Sequence, residues 1–252
     1  MRILIFILAL LFISERSTTQ HRQKPIKRLV AHYPLTEGAG LIAFPRGCVS
    51  RGTINTCTWV QSPLGKCLNW AGPTNNYVQL GKLSNLNLQG PMTVSAWIRI
   101  TDVSGGVNSG YRYICSDYDS GPTDAQFALV MLNTVKISFF WSNAGNQAPG
   151  PTVGQGATTI VANKIYHVVG TRSGTSTSWT TAVYLNGIRD GGSTTSVNPP
   201  TQAASGTTTI GRTGDYQGMA LGMVGQIRDV RIYDYALTPS EVLALYLEGP
   251  TK

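Results

Sequence analysis

Charge is scarce in this chain, and acid is scarcest. Of 252 residues 13% are charged, and Asp and Glu together number 12. Beyond residue 28 the only Glu are Glu37, Glu241 and Glu248. Hydrolysis of a glycosidic bond needs two carboxylates held about 5 to 10 Å apart, one of them protonated. Each Glu has a local duty instead. Glu37 opens a Gly-Ala-Gly turn, Glu241 follows a helix-capping Thr by three residues, and Glu248 precedes Gly249-Pro250. Asp229 and Asp234 are almost the only acids within strand-like segments. The composition therefore argues against an enzyme.

Further absences narrow the field. There is no Cys-x-x-Cys, so a zinc or redox site is not expected. No Gly-x-Ser-x-Gly elbow occurs, and no glycine-rich phosphate loop precedes a helix. No Asn-x-Ser/Thr acceptor for N-glycosylation is present. No apolar run approaches the roughly 20 residues of a membrane span. The longest run, Ile3 to Ile13, has eleven residues behind Arg2, the length of a signal-peptide core. We read residues 1–28 as a signal-like apolar segment plus a basic linker, and residues 29–252 as one folded domain. Cleavage is expected between Ser14 and Gln20, although no Ala-x-Ala is present there. A retained anchor is the alternative, so a membrane contact is expected only through an uncleaved N-terminus. The expected location is extracellular. Residues 1–28 hold six Lys or Arg and one acid, against 14 and 11 in the remainder, so the net charge of +8 belongs mostly to the arm. Nucleic-acid binding wants basic clusters on the fold itself and is not expected.

What is present is a strand vocabulary: 28 Gly, 13 Pro and 42% hydrophobic residues suit many short strands joined by turns. Thr93 to Ile100 alternates cleanly, with Val94, Ala96, Ile98 and Ile100 on one face and Trp97 and Arg99 on the other. Phe127 to Leu132 and Lys136 to Trp141 read as consecutive strands, and Cys48 to Ser62 as a surface hairpin. In the closing stretch Val230 and Ile232 share a face opposite Arg231 and Tyr233. A helix follows. Thr238 is its N-cap, Pro239 its first residue, Glu241 completes a capping box, and Leu237 and Val242 are spaced as a hydrophobic staple. Val230, Ile232, Leu237, Val242 and Tyr246 are expected to be buried. With an even cysteine count in an exported chain, Cys48 and Cys57 are the favoured disulfide, while Cys67 and Cys115 either pair or stay buried.

Segments taken in order carry a resemblance: LVAHYPLTEGAG, CLNWAGPTNNYVQL, MTVSAWIRI, IYHVVGTRSG, AVYLNGIRDGG and TTTIGRTGDYQGMALGMVGQIRDVRIYDYALT. Together they resemble laminin-G-like jelly-roll domains of the concanavalin A-like superfamily. The resemblance implies an all-β fold, a two-sheet antiparallel jelly-roll sandwich with a short C-terminal helix. Its laminarinase-type branch carries a Glu-x-Asp-x-x-Glu pattern that this chain lacks. Relatives often bind calcium, but the two acidic positions of that site are here Phe44 and Arg228, so no cofactor is expected. Asp117, Asp119 and Asp124 form the remaining candidate metal cluster. His167 stands where the family pattern has a His and reads as a packed strand residue. Trp70 and Trp97 read as packing. Aromatics at loops or strand ends beside polar donors are the candidate ligand site: Tyr111, Tyr113, Tyr118, Trp141, Trp179 and Tyr216.

The functional expectation is a secreted, non-catalytic recognition or adhesion domain that binds a glycan or an extracellular protein. A self-assembling subunit of a fibre, coat or viral surface layer is the first alternative. A divergent polysaccharide hydrolase or lyase is the second.

Overall fold

The computed structural model describes residues 29–47, 49–72, 76–104, 110–118, 125–141, 153–175, 178–196, 207–213 and 222–251. Among the described residues sixteen strands, numbered along the chain, pair antiparallel; fifteen form one continuous path that folds on itself into two leaves, and the first pairs with the last off that path. The first leaf runs in the order β2 (Ile42–Ala43), β3 (Gly52–Asn55), β6 (Tyr77–Gly81), β15 (Thr207–Ile210), β8 (Arg112–Tyr118), β9 (Ala125–Met131) and β10 (Lys136–Phe140). The second runs β14 (Ile188–Ser196), β13 (Ser178–Leu185), β12 (Ile165–Thr175), β7 (Met92–Ile100), β16 (Val224–Tyr233), β5 (Gly65–Ala71) and β4 (Thr58–Ser62). Strand β11 (Gly154–Thr159) joins the leaves, pairing with β10 on one side and β14 on the other. This is the all-β sandwich that the resemblance implies. The segment from Cys48 to Ser62 is not a hairpin. Its two strands go to different leaves, β3 beside β2 and β6, and β4 beside β5.

One core fills the space between the leaves. Val94, Ala96, Ile98 and Ile100 of β7 are fully buried there, with Phe127, Leu129 and Met131 of β9 and Val168 and Val183 of the second leaf. The alternation of β7 decides this, since period two sends every second side chain to one face. Gly170 is required by the same packing, because a Cβ there would lie 2.4 Å from the Phe139 ring.

Strand β16 is the pivot of the second leaf. One side pairs with β7 throughout; the other pairs first with β5 and then with β1 (Leu29–Tyr33). At the changeover the register shifts between Arg228 and Arg231, and Asp229 takes a positive φ of 54°. Asp tolerates that conformation better than most residues. Val230 and Ile232 are fully buried in the interior. Tyr233, on the opposite face, is buried as well, because helix α1 (Pro239–Glu248) folds back over it. Thr238 caps that helix, the capping box with Glu241 is complete, and Leu237 and Val242 pack against Val169, Ala182, Tyr184 and Tyr233. Tyr246 is only half-buried, so the burial expected of it is partial. Asn186 and Gly187, at φ 52° and 80°, make the two-residue turn between β13 and β14. Tyr246 packs close above Gly187, where a Cβ would crowd it.

Candidate functional site

The aromatic residues proposed from sequence do not form one exposed site. Trp141 and Trp179 are 0% and 3% exposed, which leaves neither with a free ring face. They lie against Arg172, whose guanidinium carbon sits 5.1 and 5.7 Å from their ring centroids. Arg172 is itself buried, and among the described residues no carboxylate pairs with it. It donates to the backbone oxygens of Leu88, Gly90 and Gln126, and burial pushes its pKa down to about 9. Neighbouring Gly, Pro and Asn residues make these two Trp look loop-like in sequence. The cation that draws them inside lies far along the chain. Tyr113 is also buried, in a cluster with Ala128, Val130 and Phe140 on the outer face of the first leaf, and Tyr111 is half-buried beside it at a ring separation of 6.4 Å. Tyr118 belongs to β8, but its side chain lies outside the described residues, as do all of Tyr216, Asp119, Asp124 and Cys48.

Asp117 is buried, and Thr208 Oγ1 donates to its Oδ2 at 2.6 Å. It is a strand residue and does not sit on a solvated turn. Among the described residues no three His, Cys, Asp or Glu side chains gather as a metal set. Phe44 is 48% exposed, and its amide donates to Glu37 Oε1. Arg228 sends its guanidinium to the carbonyl oxygens of Leu64 and Thr251. Cys57 is buried, and its thiol is pushed up to about 12 by burial; among the described residues it has no disulfide partner, and Cys48, its favoured partner, lies outside them. Cys67 and Cys115 are free and buried too, which settles between the two alternatives for them.

The other described acids are occupied by structural work. Arg112 and the Ser104 amide hold Asp102, Thr158 holds Asp190, and Glu241 caps the helix. Asp229 is the most heavily engaged. It meets His32 Nε2 at 2.6 Å, Arg231 at 3.1 and 3.2 Å, and Thr251 through both its amide and its hydroxyl. Burial works to raise its pKa, but these hydrogen bonds and the Arg231 charge outweigh it and hold the carboxyl well below the usual range. His167 goes the other way. Burial pushes it down to about 4, so it is a neutral packing residue.

A polar row lies on the outer face of the second leaf, beside the helix, with Asn163 exposed, Arg99 and Asn69 half-buried and Gln226 buried. Asn163, Arg99, Gln226 and Asn69 form an unbroken hydrogen-bonded row across a loop, β7, β16 and β5. Arg99 donates to Asn163 O and Oδ1 at 3.1 and 2.7 Å, and to Gln226 Oε1 at 3.2 Å. Gln226 Nε2 donates onward to Asn69 Oδ1 at 3.3 Å. One step along the strands, Trp97 pairs with His167 on one side and Arg228 on the other. Trp97 is half-buried and stacks on Tyr246 at 5.7 Å, which fixes it at the margin of the helix. Only the alternation of β7, which sent Trp97 and Arg99 away from the core, pointed here from sequence. The row itself depends on a register that no local pattern carries.

The chain belongs to the concanavalin A-like lectin/glucanases superfamily, whose laminin-G-type model matches residues 72–243. Among solved structures it is similar to a sialidase of Trypanosoma rangeli, described in complex with 2,3-difluorosialic acid, at TM-score 0.61 and 17% identity. That match covers 87% of this chain and 33% of the sialidase, so the chain spans about a third of that enzyme. It is also similar to domain 4 of AbnA, a GH43 extracellular arabinanase of Geobacillus stearothermophilus, described in complex with arabinotriose. There the TM-score is 0.59 and the identity 18%, over 87% of this chain and 98% of that domain. Identities this low show the shared fold alone. No curated protein sequence matches.

Proposed function

We propose that this domain is a non-catalytic carbohydrate-recognition module of an exported protein, and that it binds glycan on the outer face of the second leaf. The observation that carries the reading is the row Asn163–Arg99–Gln226–Asn69 beside half-buried Trp97. Amides and a guanidinium in line across adjacent strands offer both donors and acceptors to sugar hydroxyls, and an aromatic at the end offers apolar contact. The arabinotriose held by the structurally similar arabinanase domain supports a glycan ligand. The engagement of the acids described above supports recognition without hydrolysis, since each of those carboxylates is already held by a hydrogen-bonding partner rather than standing free in a pair. The eleven-residue apolar run at the N-terminus supports export, which mass spectrometry of the mature N-terminus tests.

A panel of immobilised polysaccharides tests the binding reading, with reducing-sugar release measured in parallel. Retention on at least one polysaccharide, weakened by Trp97→Ala and with no sugar released, is the expected outcome. Sugar release by the intact chain would overturn the non-catalytic assignment. Retention indifferent to Trp97→Ala would overturn the site.

A further inference from the structure

We propose that the outer-face site prefers an acidic saccharide, one carrying carboxylate or sulfate groups. The inference rests on the carbohydrate reading above and names the class of sugar.

It starts from two positive charges that meet no carboxylate among the described residues. Arg99 and Arg228 lie on the same face, flanking Gln226, and among the described residues no carboxylate lies within ion-pair reach of either. The described acids closest to this face are already spent: Asp229 on His32 and Arg231, and Glu248 on Arg231. Buried cations are ordinarily paired. Arg228 is 8% exposed, yet among the described residues it meets only backbone carbonyls, and its Nε–H finds no acceptor there. Its charge sits one step along β16 from the row, on the same face, as a fixed positive field. The charges of both Arg228 and Arg99 are felt at the buried Cys67 thiol.

Arg99 supplies the contact. It is half-exposed, and its acceptors, Asn163 and Gln226, are neutral. A guanidinium bonded to amide oxygens gains by exchanging one for a carboxylate or sulfate, because charge-assisted bonds are about twice as strong as neutral ones. A neutral sugar gives no such return.

The test titrates the full-length chain with four probes: a uronate oligosaccharide, its carboxyl-reduced counterpart, a sulfated oligosaccharide and its desulfated counterpart. At least one acidic probe should bind about tenfold more tightly than its neutral counterpart, and the advantage should shrink at high salt. Arg99→Gln should cost the acidic probe about tenfold more than the neutral one, with partial recovery in Arg99→Lys. The two acidic arms decide which anion is read. Equal affinity for acidic and neutral probes would overturn this inference and leave the carbohydrate reading standing. Failure of all four to bind would overturn both. Polyglutamate binding as tightly as the acidic probes, and with the same loss in Arg99→Gln, would replace the saccharide with an acidic peptide.

Discussion

Asp229 and His32, 197 residues apart, meet at 2.6 Å with both side chains buried. The contact ties the first strand of the domain to the bulge in the last, and Arg231 and Thr251 close around the same carboxylate. Arg231 is the charged partner of this carboxylate, and removing one partner of a buried charged pair costs about 3 to 5 kcal/mol. Asp229→Asn should approach that loss while keeping a residue that tolerates the positive φ, and urea melts check it. Because the folded carboxyl sits below its usual pKa near 4, its contribution is present above that pH and is lost as pH falls below it. The variant should lose less stability than the parent over that acidic range.

His167 predicts a second pH dependence at higher pH. It is 2% exposed, and burial pushes its pKa down to about 4 from an ordinary value of 6.5. Below 6.5 the unfolded chain takes a proton that the folded one refuses. Stability should therefore fall by about 3 kcal/mol between pH 6.5 and 4, at 1.36 kcal/mol per pKa unit. In His167→Phe this slope should disappear. Its Nδ1 has no partner to orphan, and the ring stack with Trp97 and Tyr246 can persist.

The closing motif separates core from cap. Ile232 is fully buried, and truncation to Ala should cost about 2 to 5 kcal/mol. Thr238 is an exposed N-cap, and its truncation should cost about 1. Denaturant midpoints of the two variants give the order, with Ile232→Ala the lower.

The three described cysteines are buried thiols with no disulfide among them. Cys57, Cys67 and Cys115 should stay unreactive to a thiol reagent in native protein and titrate only in denaturant, and a reductant should leave the melting temperature unchanged.

These outcomes divide what the chain makes legible from what it does not. The capped helix was legible because Thr238, Pro239 and Glu241 act within one turn. The alternation of β7 was legible because period two is local. The burial of Tyr233 required the return of a helix over the outer face. The burial of Trp141 and Trp179 required Arg172, brought to them by strand pairing. The bulge at Asp229 arises where β16 changes partners from β5 to β1, a tertiary event with no local signal. The row Asn163–Arg99–Gln226–Asn69 comes from four separated segments, so its residues were readable singly and their alignment was not.

The central claim is the location of the ligand, and the indole N–H resonances test it directly. Trp97 is half-buried on the outer face, whereas Trp70, Trp141 and Trp179 are buried. Isotope-labelled protein is titrated with an oligosaccharide of a polysaccharide that retains it. The account predicts a saturable shift of the Trp97 indole signal, with those of Trp141 and Trp179 unmoved. Saturable shifts at Trp141 and Trp179 with Trp97 silent would place the ligand elsewhere and contradict it.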